Sequence, residues 1–185
     1  MAGIASRSQL RMSFLRYALF TVPAVLLLGT LSGRLSGAGA GNPWFDALAK
    51  PALMPPGWVF GAAWTILYIL LGLSLAMILH ARGARERKRA LILFALLLAL
   101  TFAWPPVFFV WHEIKAALSL IAAMIVGTVG LIFLLWRIRV VAALLLYPYL
   151  GWLMFAAALT WQIMALNPDG GALVPGRPTI DIPLN

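Results

Sequence analysis

Residues 51–81 read PALMPPGWVFGAAWTILYILLGLSLAMILHA, 31 residues without an Asp, Glu, Lys or Arg. A helix needs about 20 such residues to cross the hydrocarbon of a bilayer, and no water is present there to satisfy an open backbone. This run therefore predicts a membrane-spanning helix, and four others accompany it. Residues 17–33, 90–112, 116–136 and 140–168 are equally free of charge. Over the 185 residues, 63% are apolar and 10% charged, against roughly 45–50% and about 25% in soluble domains. A polytopic helical membrane protein with little aqueous mass follows. There is no Cys, which excludes disulfides, iron–sulfur clusters and thiolate metal sites and leaves the redox compartment unread.

The expected organisation is a 1–13 cytoplasmic segment, a 14–166 bundle and a 167–185 irregular tail rich in Pro and Gly. The spans fall near 14–33, 57–80, 90–111, 115–136 and 140–164. Pro23, Pro105, Pro106 and Pro148 lie inside them, where each should kink its helix or leave carbonyls free. The net charge of +9 is distributed as topology requires and not as nucleic-acid binding would. Ten basic residues (Arg7, Arg11, Arg16, Arg82, Arg85, Arg87, Lys88, Arg89, Arg137 and Arg139) fall on one side and four (Arg34, Lys50, Lys115 and Arg177) on the other. The positive-inside rule then places the N-terminus in the cytoplasm and the C-terminus outside. A cleavable signal peptide ending near Gly37-Ala38-Gly39-Ala40 is the competing reading of the first span, but its apolar run is long for that role and Arg34 follows it. In the 34–56 connection, Asn42 or Pro43 can start a short helix that Pro51 ends. Its stripe of Trp44, Phe45 and Leu48 suits a lid over the outer mouth of the bundle. No internal repeat of fixed period appears.

Eight Trp are present. An interfacial belt should mark both membrane faces, yet Trp44, Trp58, Trp111 and Trp161 cluster at the outer face and only Trp136 marks the inner one. Trp64 and Trp104 lie about two turns below the outer helix ends, and Trp152 lies near mid-depth. Phe60, Tyr68, Phe102, Phe108, Phe109, Tyr147 and Tyr149 extend this aromatic surface. Flat rings with few polar tips suit a planar, mostly apolar ligand held between helices, and they equally suit a densely packed aromatic core. The expected cavity is lined by spans two, three and five and capped by the 34–56 loop.

Other chemistry is poorly provided for. Asp46, Glu86, Glu113, Asp169 and Asp181 all lie away from mid-span, which argues against ion-coupled transport. His80 and His112 fall at opposite membrane faces, so bis-His ligation of a metal or haem iron is not expected. No phosphate loop, Ser-His-acid set or metal spacing occurs, and no cofactor is expected. Ala95, Ala99 and Ala103 form a small-xxx-small seam on the third span, suited to bundle packing or to a homodimer face.

Several ordered motifs now resemble a known family. They are Trp44-Phe45-Asp46-x-Leu48-x-Lys50-Pro51, then Pro55-Pro56-x-Trp58-x-Phe60-x-x-x-Trp64-Thr65-x-x-Tyr68, then Trp104-Pro105-Pro106-x-Phe108-Phe109, and Leu146-Tyr147-Pro148-Tyr149-x-x-Trp152. Over about residues 42–167 they are similar to the TspO/MBR family of tryptophan-rich sensory proteins, translocator proteins and peripheral benzodiazepine receptors. The resemblance implies an all-α membrane protein, a five-transmembrane-helix bundle, commonly dimeric, that binds porphyrins, sterols and synthetic ligands beneath its first long loop. It implies a receptor for a tetrapyrrole-like ligand with a sensory or regulatory role. Light-dependent porphyrin degradation, in which Trp64 and Trp152 would act, and porphyrin or sterol carriage are the alternatives. The implied ligand-binding set is Trp44, Phe45 and Pro55 in the lid, Trp58, Trp64, Trp104, Phe108, Tyr147 and Trp152 in the walls, and Thr101 and Thr160 as polar contacts. Expected partners are the porphyrin, membrane lipids or sterol-like molecules, and a second copy of the chain. The expected location is a bacterial inner membrane.

The sequence also departs from the family pattern. Leu97, Thr101 and Thr160 stand where Gln, Asn and Asn are frequent, and Phe45 stands where Tyr is common. Trp161 replaces the Tyr of the sterol-recognition pattern with no Lys or Arg nearby, so high-affinity cholesterol binding is not expected.

Overall fold

The computed structural model describes residues 7–172, and the side chains from residue 12 onward. The outer parts of the 1–13 segment and of the 167–185 tail lie outside the described residues. Helix α1 runs Arg7–Leu35, α2 Pro43–Ala47, α3 Gly57–His80, α4 Arg87–Phe109, α5 Ile114–Trp136, α6 Val140–Leu144 and α7 Tyr147–Leu166, and a 3₁₀ turn covers Gly170–Ala172. Five of the resulting spans are long and apolar enough to cross a membrane, with α6 and α7 together forming the fifth. The side chains turned outward are those of a lipid-facing surface, among them Leu19, Phe20, Val126 and Phe133. This is an integral, multi-pass membrane bundle.

At two of the proline breaks a neighbouring helix supplies a partner for a freed carbonyl. Pro106 lies inside α4 and has no N–H for the carbonyl of Phe102 four residues earlier. Ser32 Oγ on α1 donates to that carbonyl at 2.6 Å. In the fifth span Pro148 lies in the first turn of α7, and the chain breaks at Leu145–Leu146. There Leu146 N–H bonds to Ala143 O at 3.0 Å, and Ser74 Oγ on α3 donates to the displaced carbonyl of Ala142 at 3.0 Å. The single long span read from the sequence is thus two helices joined by a bend.

Close approach of α1 and α3 rests on glycine. A Cβ on Gly72 would stand 2.6 Å from the backbone Cα of Val22, and one on Gly29 would collide with the Tyr68 ring. Thr21 Oγ1 adds a buried bond of 2.7 Å to Gly72 O. Small residues and hydroxyl-to-carbonyl bonds hold helices together where lipid removes the hydrophobic drive between them.

The main pairings are α1 with α3, α1 with α4, α4 with α5, and α5 with α7, while α3 touches α7 only lightly. The spans therefore form a ring in which α3 meets the fifth span mainly through α6, so that the seam thins along α7 toward the lid. At the end that carries most of the basic residues, Arg87 closes the turn into α4. Its guanidinium donates to Ile78 O and Leu79 O, each at 3.1 Å, satisfying terminal carbonyls of α3. Arg82 donates to the Tyr17 hydroxyl, and Arg139 lies 3.2 Å from His80 Nδ1. His80 and His112 lie at opposite ends of the bundle, and no group of three or more potential metal-ligating side chains occurs among the described residues.

Candidate ligand site

The lid forms as its sequence dictates. Asn42 caps α2, its Oδ1 accepting from Phe45 N–H at 3.0 Å, and Pro43 occupies the first turn. Such a side-chain cap satisfies an N–H that the helix cannot. Helix α2 ends at Ala47, short of Pro51. Trp44 and Leu48 point into the bundle and are buried. Phe45 is half-buried, and Lys50 Nζ sits 5.0 Å above its ring.

Trp44 is an anchor. Its indole N–H donates to Gly170 O at 2.8 Å, its ring stacks on His112 at 4.3 Å, and its edge meets Phe108 at 5.3 Å. Asn167, one residue beyond α7, ties the other side of the lid. Its Oδ1 accepts from Ala49 N–H at 2.9 Å and its Nδ2 donates to Ala49 O at 2.9 Å, a two-way amide pair. A Cβ on Gly170 would stand 2.9 Å from the Ile114 Cδ1, 3.0 Å from the Asn167 Cβ and 3.3 Å from the Leu48 Cδ2, so a side chain here would press on the lid's docking. Asn167 and Gly170 are not among the residues that the sequence motifs single out, and His112 is weighed there only as a metal ligand. An Asn followed by Pro168 at the end of an apolar span was the available signal.

Beneath the lid the rings pack on one another. Trp104 stacks on Phe108 at 5.1 Å with 11° between the planes. Phe109 meets Phe45, Trp104 and Phe108 at 5.4, 5.9 and 4.9 Å. Trp104 Nε1 is buried and has no hydrogen-bond partner, the one such side-chain atom among the described residues. A second group lies deeper, where Trp64 meets Tyr68 at 5.2 Å and Tyr149 at 6.5 Å, and Tyr68 meets Phe102 at 6.2 Å. Thr101 Oγ1 donates to Leu97 O at 2.7 Å and lies 2.7 Å from the Tyr149 hydroxyl. Trp152 bridges Phe60 at 5.7 Å and Phe155 at 5.3 Å. Thr160 is buried on α7, and Pro55 is half-buried in the extended link between α2 and α3.

The array thus brings together Trp44, Phe45, Trp104 and Phe108 near the lid, and Trp64 with Thr101 through Tyr149. Trp152 lies beside it with Phe60 and Phe155, Pro55 and Thr160 make no described ring contact or side-chain hydrogen bond with it, and two expected members turn away from it. Trp58 is 75% exposed and Tyr147, close to the bend, 46% exposed, and neither joins the described ring contacts. Open volume is also placed differently from the expectation. Rings from the third span and the lid pack on one another under α2, and an apolar cleft of about 210 Å³ opens on the α3/α7 seam. It is lined by Ala63, Ile66 and Leu67 on one wall and Pro148, Gly151, Trp152 and Phe155 on the other. Ala95 and Ala99 are exposed on α4 and Ala103 is half-buried, so the small-residue seam faces largely away from the bundle.

The chain matches the model of the TspO/MBR family over residues 21–166. It is 36% identical to the tryptophan-rich protein TspO of Archaeoglobus fulgidus over 147 residues, 80% of this chain and 94% of the relative. It is 34% identical to the tryptophan-rich sensory protein of Cereibacter sphaeroides over 126 residues, 68% of this chain and 78% of the relative. It is also 33% identical to the human translocator protein over 153 residues, 80% of this chain and 90% of the relative. Five apolar spans, a Trp-anchored lid and this match over most of its length agree, and the chain belongs to the TspO/MBR family.

Proposed function

We propose that this protein is a membrane receptor for a planar, mostly apolar ligand of the tetrapyrrole class, held among the rings under α2 and coupled to a sensory or regulatory output. The observation that carries the reading is Trp104. Its indole N–H is buried without an acceptor while its face lies in a stack with Phe108. A buried unpaired donor is unfavourable by about 1–3 kcal/mol. A porphyrin offers both what the ring face prefers and, in its carboxylate or carbonyl substituents, what the N–H lacks. The name of the Cereibacter relative, a sensory protein, supports the same role.

Ligand contacts are assigned to Trp44, Phe45, Pro55, Trp64, Thr101, Trp104, Phe108, Trp152 and Thr160, with Trp58 and Tyr147 at the margins. Ring rotation makes the room. The exposed Ala95 and Ala99, with Ala103, form the face of a homodimer. The N-terminus and the basic connections lie on the cytoplasmic side of a bacterial inner membrane, and the lid faces outward.

The test is a titration of protoporphyrin against intrinsic Trp fluorescence. Saturable quenching is expected, and Trp104→Phe should weaken affinity about tenfold, the equivalent of roughly 1.4 kcal/mol. Absence of saturation, or an unchanged affinity in Trp104→Phe, refutes the assignment. Illuminating the complex in air then separates binding from photo-oxidation, because a receptor leaves the porphyrin absorbance stable. Uptake of the same porphyrin into liposomes tests the carrier alternative.

A further inference from the structure

We infer that the ligand enters and leaves sideways from the bilayer, through the seam between α3 and α7, while the lid stays in place as a fixed roof. The inference rests on the binding reading above and adds the route.

Two routes to the ring array can be compared bond by bond. From the lid side, a ligand must lift α2. That breaks the Trp44 Nε1–Gly170 O bond and the two-way pair between Asn167 and Ala49. It also unstacks Trp44 from His112 and withdraws two buried apolar side chains, Trp44 and Leu48. On the seam side no hydrogen bond joins α3 to α7 among the described residues. The cleft walls are apolar, and the described contact across its end nearer the lid is the edge of Phe60 on Trp152 at 5.7 Å. Opening it displaces side-chain contacts, Phe60 on Trp152 and, deeper, Trp64 on Tyr149.

The seam is also built of the residues a portal needs. Gly151 on α7 lines the cleft and borders open space, with no atom within 4 Å of where a Cβ would stand. Ala63 keeps the α3 wall low, and Ile66 at the mouth is exposed on the lipid side. Bordering the cleft, Trp152 belongs at once to the opening and to the expected ligand set. The volume of about 210 Å³ is below the roughly 300–1,000 Å³ of sites that enclose a drug-sized molecule, so the cleft admits the leading edge of a flat macrocycle. A planar apolar ligand concentrates in the bilayer, which this mouth faces.

The experiment uses stopped-flow Trp quenching by protoporphyrin, with the full-length protein in lipid nanodiscs. Gly151→Leu narrows the mouth from α7 and Ala63→Leu narrows it from α3, so loss of folding in one leaves the other. Since the chain has no Cys, the pair Ala49→Cys with Asn167→Cys, once oxidised, gives a single disulfide that locks the lid. Each seam variant should slow association and dissociation together by about tenfold, as gating steps do, with little change in affinity. The locked lid should bind at the unmodified rate. Normal rates in both seam variants, or slow binding in the locked lid alone, overturn the inference. If the unmodified protein shows no saturable quenching, the binding reading itself has failed and the route falls with it.

Discussion

Ser32 on α1 donates its hydroxyl to the backbone carbonyl of Phe102 on α4, 2.6 Å away, where Pro106 has removed the helix's own donor. The proline does not merely bend α4. It exposes an acceptor that a neighbouring helix then takes, converting a local defect into a contact between spans.

Ser32→Ala should therefore destabilise the bundle by about 1 kcal/mol, within the range for hydrogen bonds between spans. In a Pro106→Ala background the same change should be nearly neutral, since the Phe102 carbonyl regains its intrahelical partner. Thermal unfolding in detergent, read as a double-mutant cycle, checks this. Equal losses in both backgrounds would show that the bond carries no weight.

Glycine substitutions should divide by what their new Cβ meets. Gly72→Ala presses on the Val22 backbone, which cannot rotate away, and should lose about 1–3 kcal/mol. Gly61→Ala meets open space and should be neutral or stabilising by about 1 kcal/mol through helix propensity. Unfolding titrations of the two variants provide the comparison, and the opposite ranking would refute the close α1–α3 packing.

Asn167→Ala removes both bonds to Ala49 and should loosen the lid without loosening the bundle. Amide exchange across residues 43–49 should accelerate by about tenfold to a hundredfold, the equivalent of one or two net hydrogen bonds. Exchange in α5 should not change. Hydrogen-exchange mass spectrometry reads both regions at once.

Ala99→Leu on α4 should convert a dimer to a monomer, because a close-approach seam does not admit the larger side chain. Ala99 is exposed on the bundle surface, so the monomer should keep its fold. Size-exclusion chromatography with light scattering measures the state, and an unchanged dimer would exclude this face.

The spans were legible because charge-free length is a one-dimensional property. The expected 57–80 coincides with α3, and 115–136 lies within a residue of α5. Prolines were legible as breaks but not in their resolution, since no local pattern links Ser32 to Phe102 or Ser74 to Ala142. Those pairs are 70 and 68 residues apart. The lid helix followed from Asn42 and Pro43, whereas its anchoring by Asn167 and Gly170 joins residues 118 and 126 positions apart, which no local pattern reveals. Among the rings, composition and depth singled out Trp64, Trp104 and Trp152. Which of them would stack, and which would border open volume, depends on helix rotation, and the near-uniform hydrophobicity of a membrane span conceals that rotation. Trp58 and Tyr147 are examples, turned outward on helices with no polar face to orient them.

Arg87 has a practical consequence for anyone modifying this protein. Because it clasps the last carbonyls of α3 from the first residue of α4, both anchor points of the intervening turn are joined by a side chain in addition to the backbone bonds that Ala84 makes to Ala81 and Arg87. Extra length spliced there would be closed at small entropic expense. A fluorescent reporter could be carried at that position with the spans unshifted, provided Arg82 and Arg87 are retained.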